Sequence, residues 1–140
     1  MQIELSAENR KNVFTIPVVP PQISLPIQQY NYEQFDSLNG TLTLVGQPKL
    51  RGISWESFFP KRKMPWMKSG FQEPQHYLKL IEYWINAKIP IRIIVKDEQR
   101  EILNMPAMIT AFDYSYEALG DMRYSIELTE YIFPDVKKVK

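Results

Sequence analysis

One segment of this sequence, residues 74–88, has the spacing of an amphipathic helix, whereas most of the remaining chain follows the two-residue period of β-strands. The apolar side chains of the segment recur at i, i+3, i+4, i+7 and i+8 and share one helical face: Tyr77, Leu80, Ile81, Trp84 and Ile85. Pro74 suits the first turn of this helix, and Pro90 ends it. We therefore predict an α+β protein, a mostly antiparallel β barrel or sandwich with one helix packed on it.

Several segments predict the strands of this barrel or sandwich. The dipeptide Asn39-Gly40 is a strong hairpin signal, and the residues after it alternate, which predicts a strand over residues 40–45. In residues 108–116 the alternation places Met108, Phe112 and Tyr114 on one face. Residues 122–128 repeat the alternation after a short turn, so two adjacent strands are expected there. The order of the strands in the sheet does not follow from these patterns.

The segment 13–29 contains four of the eleven prolines among β-branched and apolar residues. Proline cannot donate a backbone hydrogen bond, so this segment cannot complete a β ladder. We predict a Pro-rich N-terminal arm or edge segment. Because 140 residues suit one hydrophobic core, residues 1–140 are expected to form a single domain.

Composition argues against several classes of function. Seventeen basic and sixteen acidic side chains leave a net charge of +1, so no global field draws the chain to nucleic acid or to an anionic membrane. The absence of cysteine removes disulfides, thiolate zinc sites and cysteine nucleophiles. No apolar run approaches the length of a membrane span, and the N-terminus lacks the pattern of a secretion signal. We expect no cofactor, no nucleic acid and no membrane partner.

Catalytic residues are not evident in the sequence. The single histidine, His76, falls in the first turn of the predicted helix, and none of the familiar nucleophile, metal or phosphate-binding motifs is present. A pair of carboxylates need not be local in sequence, so such a pair stays possible. Glu73 with Glu82, or Asp113 with Glu117, fit surface charges better than an active site. We predict that the protein is not an enzyme.

The stretch "SFFPKRKMPWM", residues 57–67, combines aromatic, proline and basic residues. Such a mixture is found in nucleic-acid sites, but the nearly neutral chain favours a solvated turn or a contact with a protein partner. We predict that three aromatic residues at the end of a strand pack inward: Trp55, Phe58 and Phe59. For Trp66, core packing and an interface are both open. The candidate protein interface consists of Lys61, Arg62, Lys63 and Trp66.

The order of several segments resembles a known family. "TIPVVPPQI", "LNGTLTLVGQPKLRGISWESFFP", "PQHYLKLIEYWINAKIPIRIIV" and "MRYSIELTEYIF" are similar to the N-terminal domain of LysM-bearing, PBSX-like tail (baseplate hub) proteins of contractile phages and phage-tail-like bacteriocins. The similarity spans most of the chain, and its most specific parts are "SWESFFP" and "ELTEYIF". The resemblance implies a structural part of the baseplate in a virion or tail-like particle, assembled in the host cytoplasm.

As implied by the resemblance, the partners would be other tail proteins such as hub, tube, sheath or wedge, with multiple copies in a symmetric assembly. The family usually carries a C-terminal LysM module that binds peptidoglycan. This chain ends at Lys140 directly after the last predicted strand, so we expect no LysM module in it and do not carry over cell-wall binding. A wall-binding module or an accessory to a wall hydrolase remains the alternative function.

Overall fold

The computed structural model describes residues 1–65 and 72–133. In these residues the chain forms eight strands and one helix. They are β1 (Gln2–Ala7), β2 (Asn12–Thr15), β3 (Tyr30–Ser37), β4 (Gly40–Pro48), β5 (Gly52–Phe59), α1 (Pro74–Asn86), β6 (Ile91–Asp97), β7 (Arg100–Tyr116) and β8 (Met122–Glu130).

Six strands form one antiparallel sheet in the order β2-β1-β6-β7-β8-β5, so that β2 and β5 are its edges. The hydroxyl of Ser57 on β5 donates to the carbonyl oxygen of Val18, shortly after β2, at 2.7 Å. This bond joins chain segments from the two opposite edges of the sheet. The two edges therefore approach each other, and the sheet has the shape of a half-barrel. The predicted α+β class, mostly antiparallel β with one packed helix, is confirmed.

Helix α1 covers the core face of the half-barrel. Its residues Tyr77, Ile81 and Trp84 are buried, as the predicted apolar face requires, whereas Ile85 at the end of that face is 38% exposed. The helix ends at Asn86, two residues earlier than predicted, and Lys88 adopts a left-handed conformation with a φ of 57°. A residue with this φ cannot continue a right-handed helix. No helix in the described residues is long and apolar enough to span a membrane.

An aromatic cluster joins the helix to the sheet. The ring of Phe59 stacks on Tyr77 of α1 at 4.5 Å and on Tyr124 of β8 at 4.3 Å between ring centroids. Trp55 Nε1 donates a 3.0 Å hydrogen bond to the Tyr124 hydroxyl. Burial raises the pKa of Tyr124 because the phenolate would lose its hydration in the core. This cluster therefore holds the C-terminal half of β5 against the helix and β8.

The structure separates the three aromatic residues predicted to pack inward. Trp55 is 5% exposed and Phe59 is completely buried. Phe58 is partly exposed and does not belong to the core, so the prediction for this residue is wrong. Neighbouring residues of a strand point to opposite faces of the sheet, so Phe58 and Phe59 cannot both face the core.

Two further segments differ from the sequence expectations. The register of β7 shifts between Ile109 and Ala111, which places Met108 on the face opposite Phe112 rather than beside it. Strand β1 lies in the N-terminal segment, for which no element was predicted, and pairs with both β2 and β6.

The segment predicted to be a Pro-rich arm is divided between sheet and loop. Its first residues belong to β2, an edge strand, and residues 16–29 contain no strand. Within that loop the side chains of Val19, Ile23 and Leu25 pack partly buried against the core. The loop then leads directly into β3.

Candidate interaction surfaces

Strands β3 and β4 form a two-stranded hairpin separate from the six-stranded sheet. The two-residue loop, Leu38 and Asn39, joins Ser37 to Gly40, which confirms the hairpin predicted from Asn39-Gly40. Gly40 has a φ of +119°, a conformation that residues with a Cβ rarely adopt. The Ser37 hydroxyl donates to the Gly40 carbonyl oxygen at 2.7 Å and accepts from the Asn39 N–H at 3.3 Å. The turn is therefore fixed by local bonds.

The hairpin is exposed over nearly its whole length. Every residue of β4 and all of β3 except Ser37 are exposed. Directly paired residues share a face, so one face carries Phe35, Leu42 and Leu44, which are 48%, 46% and 47% exposed. We call these three residues the hairpin apolar face. An isolated two-stranded hairpin is only marginally stable in water, so this face is suited to being covered by another molecule.

The opposite face of the hairpin is also apolar near its root. Tyr32 and Val45, a directly paired couple, are 64% and 68% exposed. Tyr30 lies on the same side and is 41% exposed. Unlike the hairpin apolar face, this side has phenolic hydroxyl groups that can stay in water. Neither face was predicted from the sequence, although apolar residues at matching distances on either side of Asn39-Gly40 are a signal for both.

The root of the hairpin is closed by hydrogen bonds of its own and joined to the half-barrel by one residue pair. Gln28 Nε2 donates to the carbonyl oxygen of Lys49 at 2.9 Å, and the Lys49 N–H donates to that of Gln29 at 2.8 Å. One residue pair completes the attachment: Arg51 donates to the Glu130 carboxylate from its backbone N–H at 3.0 Å and from Nη2 at 2.8 Å. Glu130 returns its own N–H to the Arg51 carbonyl oxygen at 2.7 Å. The hairpin thus leaves the body beside the end of β8.

The Arg51–Glu130 pair predicts a pH effect. The Arg51 side chain, chiefly through its hydrogen bond, holds the pKa of the Glu130 carboxyl below its usual range. A carboxyl with a lowered folded pKa stabilises the fold above its unfolded pKa, and this contribution is lost as the pH falls through the folded pKa. We therefore expect Glu130→Gln to lower the free energy of unfolding by about 1 to 2 kcal/mol at neutral pH and to lose less stability than wild type on acidification.

Urea denaturation over a pH series that starts at about 7 and falls below the ordinary glutamate pKa of about 4.3 measures this difference. Glu56→Gln, an exposed position on β5, serves as the matched control and should keep the acid dependence of wild type. Equal acid dependence of Glu130→Gln and wild type would contradict the role given to the pair.

The candidate interface residues lie beyond the other end of β5. The Lys61 N–H donates to Asp121 Oδ1 at 2.8 Å, which attaches this loop to the β7–β8 turn. The Lys61 side chain passes over Gly120, where any Cβ would collide with it, and Gly120 has a φ of +101°. The backbone around Lys61 is therefore held at a defined place beside the turn.

Lys61, Arg62 and Lys63 are all exposed. Among the described residues, no hydrogen bond or ion pair engages the side chains of these three cations. Trp66, the fourth predicted interface residue, lies outside the described residues. The structure therefore places three of the four candidates together, with their charges turned to solvent.

Exposed apolar side chains lie at the same end of the half-barrel. Tyr116 pairs with Met122, which in turn pairs with Phe59, the last residue of β5. Tyr116 is 52% exposed, and Leu119 in the following turn is 86% exposed. We call residues 61–63 together with Tyr116 and Leu119 the basic end. The sequence does not indicate that Tyr116 and Leu119 lie near the basic loop, because they are brought there by the pairing of β5 with β8 and of β8 with β7.

The residues considered for catalysis are not brought together into a site. His76 and Glu82 are exposed on α1, and Glu73 precedes the helix without a capping side-chain bond. Glu117 is engaged by the Arg123 guanidinium, whereas Asp113 is exposed on β7. Within residues 1–65 and 72–133, no group of three or more histidine or acidic side chains could hold a metal ion.

YqbP of Bacillus subtilis is similar in sequence to this chain. No family model matches the chain. The uncharacterized protein YqbP of Bacillus subtilis (strain 168) is 29% identical over 133 residues, which cover 93% of this chain. The aligned region is 59% of YqbP, so the chain spans less than two thirds of the length of this relative.

Comparison with solved structures shows a shared fold. A chain in the six-fold symmetrised baseplate of the anti-feeding prophage superposes with a TM-score of 0.58 and 12% identity, covering 94% of this chain and 88% of that one. A chain in the sheath/tube terminator of the PVC extracellular contractile injection system, in its extended state, gives a TM-score of 0.50 and 16% identity over 94% and 90%. Both chains match over most of their length.

Proposed function

We propose that this chain is a structural component of a contractile phage or phage-tail-like particle, acting as a baseplate or hub scaffold. The observation that carries the proposal is the match of nearly the whole chain to a chain in the anti-feeding prophage baseplate. The match extends over 88% of that chain, so both share an entire domain rather than a common supersecondary motif.

The exposed surfaces support the same role. A free-standing hairpin with an apolar side, and a loop with three exposed cations, are surfaces that a subunit of an assembly covers with its neighbours. In such a role the protein works by its shape, linking tube, spike hub and sheath or wedge proteins. The loop at Lys61, Arg62 and Lys63, together with Trp66, contacts a neighbouring tail protein.

The test of the function compares intact particles from the strain that carries this gene with those from a strain that lacks it. We expect cryo-electron microscopy to show density for the domain in the baseplate of the first, and particles without the gene to fail in assembly. Normal particles in the deletion strain would overturn the proposal. Binding of the purified chain to cell-wall polymers, or wall hydrolysis, would then support the alternative functions.

Complementation of the deletion strain tests the loop. Changing Lys61, Arg62 and Lys63 together to alanine should lower the yield of intact particles on the order of tenfold, because charges at an interface set orientation and association rate. Lys79→Ala, which removes an exposed cation from α1, is the control and should restore particles fully. If the triple variant restored particles fully, the loop would be a solvated turn rather than an interface.

A further inference from the structure

The hairpin and the basic end carry opposite charges. Residues 30–48 contain two charged residues, Glu33 and Asp36, both acidic. Residues 60–65 contain three cations and no acidic residue. Glu33 lies on the hairpin apolar face, since it is paired directly with Leu44. Asp36 is paired with Thr41 and lies on the opposite face of the hairpin. Acidic groups beside residues 61–63 are already engaged, by the Lys61 N–H or by Arg123, and cations remain in excess there. The hairpin apolar face therefore carries a negative charge and the basic end an excess of positive charge.

These two surfaces lie at opposite ends of one strand. The hairpin leaves the body just before Gly52 at the start of β5, and the basic loop follows Phe59 at its end. Eight residues of β-strand place the two points about 23 Å apart. The hairpin strands and residues 61–63 are exposed, so neither surface covers the other within one copy.

We propose that copies of this chain associate head to tail, with the hairpin of one copy on the basic end of the next. The hairpin apolar face would pack on Tyr116 and Leu119, while Glu33 would meet the cations of residues 61–63. Each copy has one surface of each kind, so every copy can give and accept this contact. A heterologous contact of this kind forms a closed ring if its rotation closes and a filament otherwise.

This inference rests on the proposed structural role, and it names a second copy as the neighbour of the loop. Charge complementarity selects that occupant, because the hairpin of the same chain offers an apolar face with a carboxylate to a basic end that has cations in excess. The contact also explains how a marginally stable hairpin would be ordered in the assembly. Since the charges lie at exposed positions, the association should weaken as salt concentration rises.

Charge reversal on the two surfaces tests the contact by sedimentation of the 140-residue chain. We expect the wild-type chain to self-associate. Either reversal alone, Glu33→Lys or Lys61→Glu with Arg62→Glu and Lys63→Glu, should weaken association on the order of tenfold or more. A mixture of the two variants should associate again, because the hairpin of each variant is then opposite in charge to the altered or unaltered loop of the other. The chain that carries all four changes should also self-associate.

The control exchanges charges elsewhere on the surface. Lys79→Glu with Glu82→Lys alters two exposed residues of α1 and should leave association unchanged. Circular dichroism of every variant checks that the fold is intact. A wild-type chain that stays monomeric at its highest soluble concentration, or a mixture that does not restore association, would overturn the head-to-tail contact. Particles that still require the gene would then leave the structural role standing, so the two proposals fail separately.

Discussion

Replacing Phe59 with alanine should lower the free energy of unfolding by about 3 to 5 kcal/mol, the usual cost of removing a fully buried aromatic side chain. Phe59 is completely buried and stacks on Tyr77 and Tyr124, so its loss opens a cavity between α1 and the sheet. Domains of this size are stable by only about 5 to 15 kcal/mol, which makes the effect a large share of the total. Urea denaturation followed by circular dichroism measures it.

Phe58→Ala is the matched control for this prediction. The two residues are adjacent and chemically identical, but Phe58 lies on the outer face of β5, opposite Arg123. Its replacement should cost about 1 kcal/mol or less, because a partly exposed ring has fewer packed neighbours to lose. Equal costs for the two substitutions would contradict the assignment of the faces of β5.

Polar substitution of the hairpin apolar face should abolish assembly and leave the fold of the half-barrel intact. In the variant Phe35→Thr with Leu42→Thr, a directly paired couple loses its apolar groups, while threonine keeps the preference for β structure. We expect intact particles to be lost on complementation of the deletion strain and self-association to weaken at least on the order of tenfold. Thermal unfolding should change little, since both residues are about half exposed.

The other side of the same hairpin provides the control. Tyr32 and Val45 are also directly paired and are more exposed than Phe35 and Leu42. Their double replacement with threonine removes a similar amount of apolar surface and should preserve most of the assembly. If this control abolished particles and the Phe35/Leu42 variant did not, the docking side of the hairpin would be the reverse of the one inferred here.

Local periodicity explains which parts of the fold were predictable. The helix pattern of Tyr77, Ile81 and Trp84 and the turn signal of Asn39-Gly40 each arise from neighbours in sequence, and the structure has both elements. The alternation of residues 122–128 likewise appears as β8, with inward residues that include Tyr124. The position of the basic loop after a strand could also be predicted, because proline and charge mark the end of β5.

Other features depend on contacts between distant segments. The register shift near Ile109 reverses the phase of β7, and nothing in the alternation of its residues indicates which one is inserted. Glu4 on β1 is only 7% exposed because β1 lies between β2 and β6 in the sheet, a placement that the local sequence does not indicate. Both features follow from tertiary pairing rather than from local preference.

The sequence by itself determined the class of the fold, its one amphipathic helix, the hairpin turn and the cluster of cations at residues 61–63. These are short-range properties, set by the angles at which successive side chains leave a helix or a strand. Only the tertiary structure decided that the hairpin stands free of the sheet and that Tyr116 and Leu119 lie at the end that carries the cations. The physical reason is that the alternation of a strand distinguishes its two faces and does not identify its partner strands. The partner strands, and the groups that cover each face, depend on pairing between segments that are distant in sequence.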